Sequence, residues 1–573
     1  MVKDKFYRKD FIKEEVEIKR KKDNRTVEYF LPLKILWKSN SEGTEIRNEK
    51  ALLENTQNQI SLQTGNACVL INKGEKAGIL LDFGMELQGG IEIYAWNTGK
   101  NRKAKLHVRF GESAMEAMSE LNGEKNATND HAIRDLMTEV SWLGMTSVGN
   151  TGFRFVRIDL EDEDSSVELK MVRAALIFKD LEYKGTFRCS DELLNELWRT
   201  SVYTVQLNMQ DYLWDGIKRD RLVWIGDMHP EVSTITTVFG DDECVPKSLD
   251  FIRNETPLPG WMNGIPAYSM WWILIQHSWF MQNGNLEYLK EQHEYLKALI
   301  LYMSGFIAPD GSDYITNNFI DWPSSTNPQA QKAGLHALFK MSFDYAAELF
   351  DMLSDSSDAE FSRICSQKVA KKVYDCNDNK QALALQLLAD QLPANDNNGG
   401  ALAKDGGRGF STFLGYYILK ALGKSDRVKD ALDCIREYWG AMLKLGATTF
   451  WEDFDLSWTE NCTKLDEIIT ENSDKKDIHG DFGGYCYKGY RHSLCHGWAS
   501  GPAPFLAEHV LGIKPLKPGC KKLLVSPDLG DLDWASGSYP TPYGRIFIKH
   551  EKGPDGKIIT SYLKPECIEI VMG

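Results

Sequence analysis

The spacing of apolar residues changes twice along this chain, and those changes limit the fold more tightly than any single motif. Up to about residue 185, apolar and polar residues alternate in short runs, as in Lys105-Leu106-His107-Val108-Arg109-Phe110 and Phe153-Arg154-Phe155-Val156-Arg157-Ile158. From Ser190 to about residue 511 the spacing is helical, beginning with Leu193, Leu194, Leu197, Trp198, Val202 and Val205. After Lys517-Pro518-Gly519 the alternation returns in Lys522-Leu523-Leu524-Val525 and Gly544-Arg545-Ile546-Phe547-Ile548. Alternation puts every second side chain on one face of a strand, whereas a spacing of three and four puts them on one side of a helix. The expected order is therefore sheet, helices, sheet, with domains at 1–187, 188–512 and 513–573.

The first region reads as an antiparallel sandwich of regularly spaced strands. Gly89-Gly90 separates two strand-like runs, 77–83 and 91–96, and reads as a turn between them. The stretch 112–135 is acidic and poorly periodic, an excursion from the sheet that is partly helical. Residues 1–75 carry only a general sheet signal. The strongest helix candidates are 268–283, 286–304, 333–354, 357–375, 411–422 and 425–444; weaker ones are 230–239, 381–392 and 497–511. Non-helical connections are expected at 305–332, 393–410 and 451–492, and loops that long inside a domain are usually functional. Asp555-Gly556 is a hairpin signal. No internal repeat is visible, although paired helices are compatible with a toroid.

Charge and composition remove several function classes. The 573 residues carry 67 Lys and Arg against 82 Asp and Glu, a net charge of −15, which disfavours nucleic acid and anionic membranes as partners. No apolar run approaches the length of a membrane-spanning helix. The charged start, Met1 to Asp10, has no apolar segment behind it. Eleven scattered cysteines show no disulfide spacing and read as reduced thiols, so a cytoplasmic location is expected. Phosphate-loop, dinucleotide, zinc-protease and serine-hydrolase motifs are all missing. His492 and His496 have no third ligand nearby in sequence, so no metal is expected, and no organic cofactor.

What remains is carboxylates interleaved with tryptophans. Twelve of the 16 tryptophans lie between Trp198 and Trp498. The densest cluster is Trp214-Asp215-Gly216-Ile217-Lys218-Arg219-Asp220-Arg221-Leu222-Val223-Trp224-Ile225-Gly226-Asp227. A second is Phe450-Trp451-Glu452-Asp453-Phe454, a third Asp321-Trp322, a fourth His492 to Trp498. Each alone also fits a charged interhelical loop closed by ion pairs. Together they fit a carbohydrate pocket, where indole faces stack on sugar rings and carboxylates grip hydroxyls. Two carboxylates from distant loops are the minimum equipment for glycoside hydrolysis. Trp271-Trp272 suits either a buried helix face or such a platform, and Trp272 and Trp451 are retained as candidate stacking residues.

At these residues the chain resembles glycoside hydrolase family 78, the bacterial α-L-rhamnosidases. The first cluster is similar to the family's Asp-Cys-Pro-Gln-Arg-Glu-Arg-Leu-Gly-Trp-Thr-Gly-Asp. Gly446 to Glu452 matches its Gly-Ala-Thr-Thr-x-Trp-Glu, Ser493-Leu494-Cys495-His496 its Ser-Leu-x-His, and Tyr539 to Gly544 its closing Tyr-x-Thr-Pro-Tyr-Gly. The resemblance implies an (α/α)6 toroid flanked by an N-terminal β-sandwich and a small C-terminal one. It implies an inverting hydrolase of terminal α-L-rhamnosyl groups, with a carbohydrate as its partner. Asp220 falls at the general acid and Glu452 at the general base. Asp215 and Asp227 fall at hydroxyl-holding aspartates, and Trp224, Asp321, Trp322 and His496 at positions lining the sugar; Arg219 would orient a carboxylate or hydroxyl. An inverting pair is expected about 6.5–9.5 Å apart. Two positions depart from the pattern. Gly216-Ile217-Lys218 replaces Cys-Pro-Gln, and the acid is Asp, one methylene shorter than Glu, which makes Glu231 a substitute candidate. Two alternatives stay open: a same-fold glycosidase or lyase of other sugar specificity, and a non-catalytic glycan-binding relative.

Overall fold

One long strand, Gly78–Asn97, organises the N-terminal sheet. In the computed structural model, which describes residues 23–573 apart from 57, 58, 64, 471 and 472, it pairs antiparallel with Gly144–Leu160 in two runs. Residues 78–82 face 155–159, and residues 87–95 face 144–153. Between the runs the register breaks and both strands bend, with Phe83, Phe110 and Phe153 packed edge to face at the bend. The first half also pairs with Lys34–Lys38, the second with Ser165–Phe178. Nine antiparallel strands join in this way around one buried aliphatic core.

Gly89-Gly90 is therefore not a turn. A Cβ at Gly89 would lie 2.0 Å from the carbonyl oxygen of Ala175, and one at Gly90 would lie 2.3 Å from that of Val148. Both glycines sit mid-strand because neighbouring backbones come too close for any side chain. The charged segment Met1 to Asp10 lies outside the described residues.

The helices close into a ring. Glu192–Asn208 packs on Met228–Val238, which packs on Pro266–Asn283, then Pro328–Met352, Lys380–Leu388, Gly415–Lys424 and Val428–Lys444, which returns to the first. The expected Ser-Asp start holds, since Asp191 accepts the amides of Leu193 and Leu194. The helix expected from residue 333 starts at Pro328, because Asn327 accepts the Ala330 amide and proline is pre-set for a first helical turn. Two helices were not expected. One is Cys244–Glu255. The other, Asp396–Ala403, lies inside the connection read as non-helical. Its Asn-Asn-Gly-Gly core has poor helix propensity, but the Asn395 cap and packing on the two neighbouring helices override it. The weak candidate at 497–511 breaks into short α, 3₁₀ and π turns, since Pro502 and Pro504 interrupt the amide ladder.

The C-terminal region forms a four-stranded and a three-stranded sheet, and Gly556, with φ +78°, makes the expected hairpin turn. Thr186–Cys189, from before the ring, pairs with Trp534–Thr541 in the larger sheet. Tyr539 and Pro540 anchor that sheet to Gln282 of the ring. The N-terminal sheet seats on a different set of loops. Glu86 N–H donates to Thr448, Arg154 to the Gly446 carbonyl, and Leu494 N–H to Glu112. Those loops carry Glu452 and His496, so this domain borders the carboxylate clusters.

Candidate active site

The loop after Glu192–Asn208 is tied by its own aspartate. One Asp215 carboxylate oxygen accepts the Asp220 amide at 2.8 Å and the other the Leu222 amide at 2.9 Å. Gly216 is required, since a Cβ there would lie 2.4 Å from the Arg219 carbonyl oxygen. Arg221 sits at φ +65°, left-handed backbone that costs a non-glycine residue about 1–3 kcal/mol and persists only where the surroundings enforce it. Ile217 is buried in the core of the N-terminal sheet, against Gly152.

This loop delivers Arg219 between two carboxylates. Its Nη2 donates to both oxygens of Glu452, at 2.6 and 2.7 Å, and its Nη1 donates to Asp220 Oδ1 at 2.9 Å. Trp224 Nε1 donates to the other Asp220 oxygen at 3.2 Å, and His131 Nε2 lies 3.3 Å from Oδ1. Two acceptors on one guanidinium fork lie within roughly 8 Å of each other, and the interposed cation keeps them from sharing a proton. Glu452 is fixed further by the Ser493 amide on its carboxylate and by Thr412 and Trp498 on its backbone carbonyl. Burial pushes the Glu452 carboxyl up, but Arg219, His496, His492 and the Ser493 amide outweigh it and hold the group below its ordinary range.

A second carboxylate group lies beside the first. Asp227 accepts the Tyr268 hydroxyl at 2.8 Å, and its other oxygen is 3.2 Å from His496 Nε2. Burial, with the charges of Asp227 and Asp220, pushes Asp215 up to about 7 against the pull of His496. Burial also raises Asp227, opposed by the contacts from His496 and Tyr268. His496 goes the other way. Burial disfavours its charged form, yet Asp227, Glu452 and Asp215 together raise it above the ordinary imidazole range. The result is a buried cluster of alternating charge, in which burial and neighbouring charges act against each other.

Asp215, Asp227 and His496 are close enough to share a cation, as are Glu112, Glu116 and His479. In the second group the Lys218 ammonium already occupies the centre. In the first, every carboxylate oxygen already has a protein partner.

A profile of the bacterial alpha-L-rhamnosidase 6 hairpin glycosidase domain matches residues 182–510. The chain belongs to the bacterial α-L-rhamnosidase family. A profile of the family's C-terminal domain matches residues 512–564. An alpha-L-rhamnosidase of Alteromonas sp. (strain LOR) is 25% identical over 458 residues, 71% of this chain and 46% of that protein. One from Formosa agariphila is 22% identical over 448 residues, 69% and 44%. The chain spans about half the length of these curated relatives. Among solved structures, the GH78 rhamnosidase of Bacillus sp. GL1 has a TM-score of 0.72 at 22% identity, over 91% of this chain and 55% of that one. The rhamnosidase from Klebsiella oxytoca with rhamnose bound has a TM-score of 0.65 at 17% identity, over 84% and 96%. Both share the (α/α)6 toroid with flanking sheets expected from the resemblance.

Within this rhamnosidase-family fold the structure gathers Asp215, Arg219, Asp220, Trp224, Asp227, Glu452 and His496, and separates other candidates from them. Trp272 is fully buried, edge-on to Tyr295, with its indole N–H toward the Leu249 carbonyl at 3.4 Å. It is core, because Pro266–Asn283 is covered on nearly all sides. Trp451 is buried too, edge-on to Phe454 and His492, and offers no open face. Asp321 accepts the Ser324 amide on one oxygen, closing a turn, and the Ser411 hydroxyl on the other. Trp322 is half-buried and stacked on Tyr485 at 5.6 Å. Glu231 is completely buried against Gly497 with no polar partner, and burial raises its carboxyl far above the usual range. It is sealed beneath the site and is no substitute acid. Asp220 has an arginine, an indole N–H and an imidazole around its carboxylate.

Sequence reasoning missed three residues. His131 arrives from the 112–135 excursion, where nothing in the local pattern marks it. Tyr268 precedes the Trp271-Trp272 pair on one helix, where a tyrosine among tryptophans reads as core. Lys218 was noted only as a departure. Its ammonium lies 2.9 Å from Glu112 and 3.2 Å from Glu116, and donates to the carbonyls of Tyr490 and His492 at 2.8 and 2.7 Å. Gly216-Ile217-Lys218 thus forms a dock to the N-terminal domain. Glycine permits the close approach, isoleucine enters the sheet core, and lysine crosses to two buried glutamates.

Proposed function

We propose that this chain is an inverting glycoside hydrolase that removes terminal α-L-rhamnosyl groups. The observation that carries this reading is Arg219, which joins Asp220 and Glu452, from loops more than 200 residues apart, at one point. Asp215 and Asp227, whose oxygens each already accept one protein donor, would take sugar hydroxyls as second donors, with His496 beside them. In the proposed step a protonated Asp220 gives its proton to the glycosidic oxygen as the C1–O bond breaks, and the Arg219 and Trp224 N–H groups meet the carboxylate that forms. Glu452, held ionised at neutral pH, takes a proton from the water whose oxygen bonds to C1 on the opposite face. One water is consumed, and the sugar leaves with inverted configuration. The partner is a carbohydrate; a net charge of −15 weighs against nucleic acid. Among the described residues no helix is long and apolar enough to cross a membrane. The eleven free thiols favour a reducing, cytoplasmic setting.

The test is hydrolysis of a chromogenic α-L-rhamnopyranoside by wild type, Asp220→Asn and Glu452→Gln, with the first-formed anomer read by NMR. Wild type is expected to release the β-anomer first. Each variant should lose at least a hundredfold in kcat, the usual scale of positioned acid–base catalysis, about 10²–10⁴. An α-anomer as first product would overturn inversion, and full activity in Glu452→Gln would remove the base.

A further inference from the structure

Resting on the rhamnosidase reading, the position of Asp220 says where the leaving group goes. The glycosidic oxygen that takes the acid's proton departs with the leaving group, so that group lies next to Asp220. An open cavity of about 580 Å³ is lined by Asn129, His131, Ile133, Leu136, Asn150 and Arg221. It adjoins the acid twice. His131 is 3.3 Å from the Asp220 carboxylate, and Arg221 is the next residue. All the lining except Arg221 comes from the N-terminal domain. The volume falls within the range of small-molecule pockets, about 300–1,000 Å³, with room for a sugar residue. Ile133 and Leu136 offer a strip suited to a pyranose C–H face.

The charge of the cavity is specific. Arg221 gives two of its five N–H donors to Asn150, one to the carbonyl at 2.8 Å and one to the side chain at 3.1 Å. Its guanidinium carbon lies 4.4 Å over the Trp214 ring. Among the described residues no carboxylate lies within ion-pair distance of it. Burial and the charge of Arg25 lower its pKa to about 10, which leaves it cationic at neutral pH. A half-buried cation without a counter-ion, held flat by an indole and an asparagine, is arranged to receive a carboxylate side-on.

We propose that this cavity is the leaving-group subsite and that Arg221 selects a uronic acid there through its carboxylate. The test compares three substrates: a rhamnosyl glucuronide, the matching rhamnosyl glucoside, and α-L-rhamnosyl fluoride, which has no leaving sugar. Wild type should cleave the glucuronide with kcat/KM at least tenfold above the glucoside, a preference that shrinks with added salt. Arg221→Gln should bring the two within twofold. Ile133→Trp, at a position 56% exposed where the fold tolerates bulk, should lower both disaccharides at least tenfold more than the fluoride. Equal treatment of the disaccharides by wild type, or a preference that survives in Arg221→Gln, overturns the acidic-sugar proposal while cleavage of the fluoride keeps the rhamnosidase reading. An equal effect of Ile133→Trp on all three substrates overturns the subsite. Failure to cleave the fluoride removes the rhamnosidase reading and the subsite with it.

Discussion

Replacing Arg219 by methionine should displace the acid side of the pH–activity profile. Arg219 donates to both Glu452 oxygens at 2.6 and 2.7 Å, in a pair shielded from water. Charges about 4 Å apart at an effective dielectric of about 20 interact by about 4 kcal/mol. At 1.36 kcal/mol per tenfold, that is roughly a thousandfold in the ionisation equilibrium. Burial, the largest influence on Glu452, pushes the other way and is unopposed by the arginine once it is gone. The sign follows. The base works only when deprotonated, wild-type Glu452 loses its proton below the ordinary carboxylate range, and the variant's Glu452 loses it above. In Arg219→Met, kcat/KM should therefore fall at least tenfold more at pH 5 than at pH 8, relative to wild type. Arg219→Lys, which keeps a charge but not the fork, should fall between. The assay is initial-rate hydrolysis of the chromogenic rhamnoside from pH 4.5 to 9, with melting curves confirming a folded variant. A loss of the same factor at every pH would refute the argument, because it would mean that Arg219 serves substrate or fold and not the ionisation of Glu452.

Four further outcomes are expected. Lys218→Met strands two buried glutamates and two carbonyls and should cost about 3–5 kcal/mol, read as a lowered melting temperature. Burial raises Glu112 to about 7 from 4.5, so the folded state keeps a proton that the unfolded chain releases between these values; wild-type stability should decline as pH rises through that window, and in Lys218→Met the decline should continue to higher pH. Tyr268→Phe removes the hydroxyl that orients Asp227 and should raise KM up to about tenfold with little change in melting, the scale of one hydrogen bond at about 0.5–1.5 kcal/mol. Trp272→Ala should cost about 3–5 kcal/mol of stability, seen by melting, with KM unchanged; a raised KM would return Trp272 to the sugar site.

The order of sheet, helix and sheet was legible because apolar spacing reports which faces are covered, wherever the elements end up. Helix ends were legible where a cap is local: the Asp191 cap belongs to the adjacent Ser-Asp signal. Asp396–Ala403 was missed despite its local Asn395 cap, because its Asn-Asn-Gly-Gly core hides a helix that packing on neighbouring helices secures. Gly89-Gly90 misled for the same reason. A glycine pair signals backbone freedom, and only the partner strands reveal that it serves close approach in a continuous strand.

The site divides along the same line. Residue types, their order and the family resemblance they carry marked Asp215, Arg219, Asp220, Trp224, Asp227, Glu452 and His496, the candidates that the structure gathers. They could not tell a half-buried indole beside the carboxylates from one in the core, since Trp224 and Trp272 differ only in what packs over them. Nor could they show that Arg219 bridges two carboxylates, that Lys218 fastens the loop to another domain, or that His131 arrives beside the acid from a different fold. By itself the sequence determined the kinds of element and the chemical groups on offer, because those depend on neighbours along the chain. Which groups meet, which are buried and which charge goes unpaired was decided by tertiary structure, because burial and Coulomb interaction depend on distance in space.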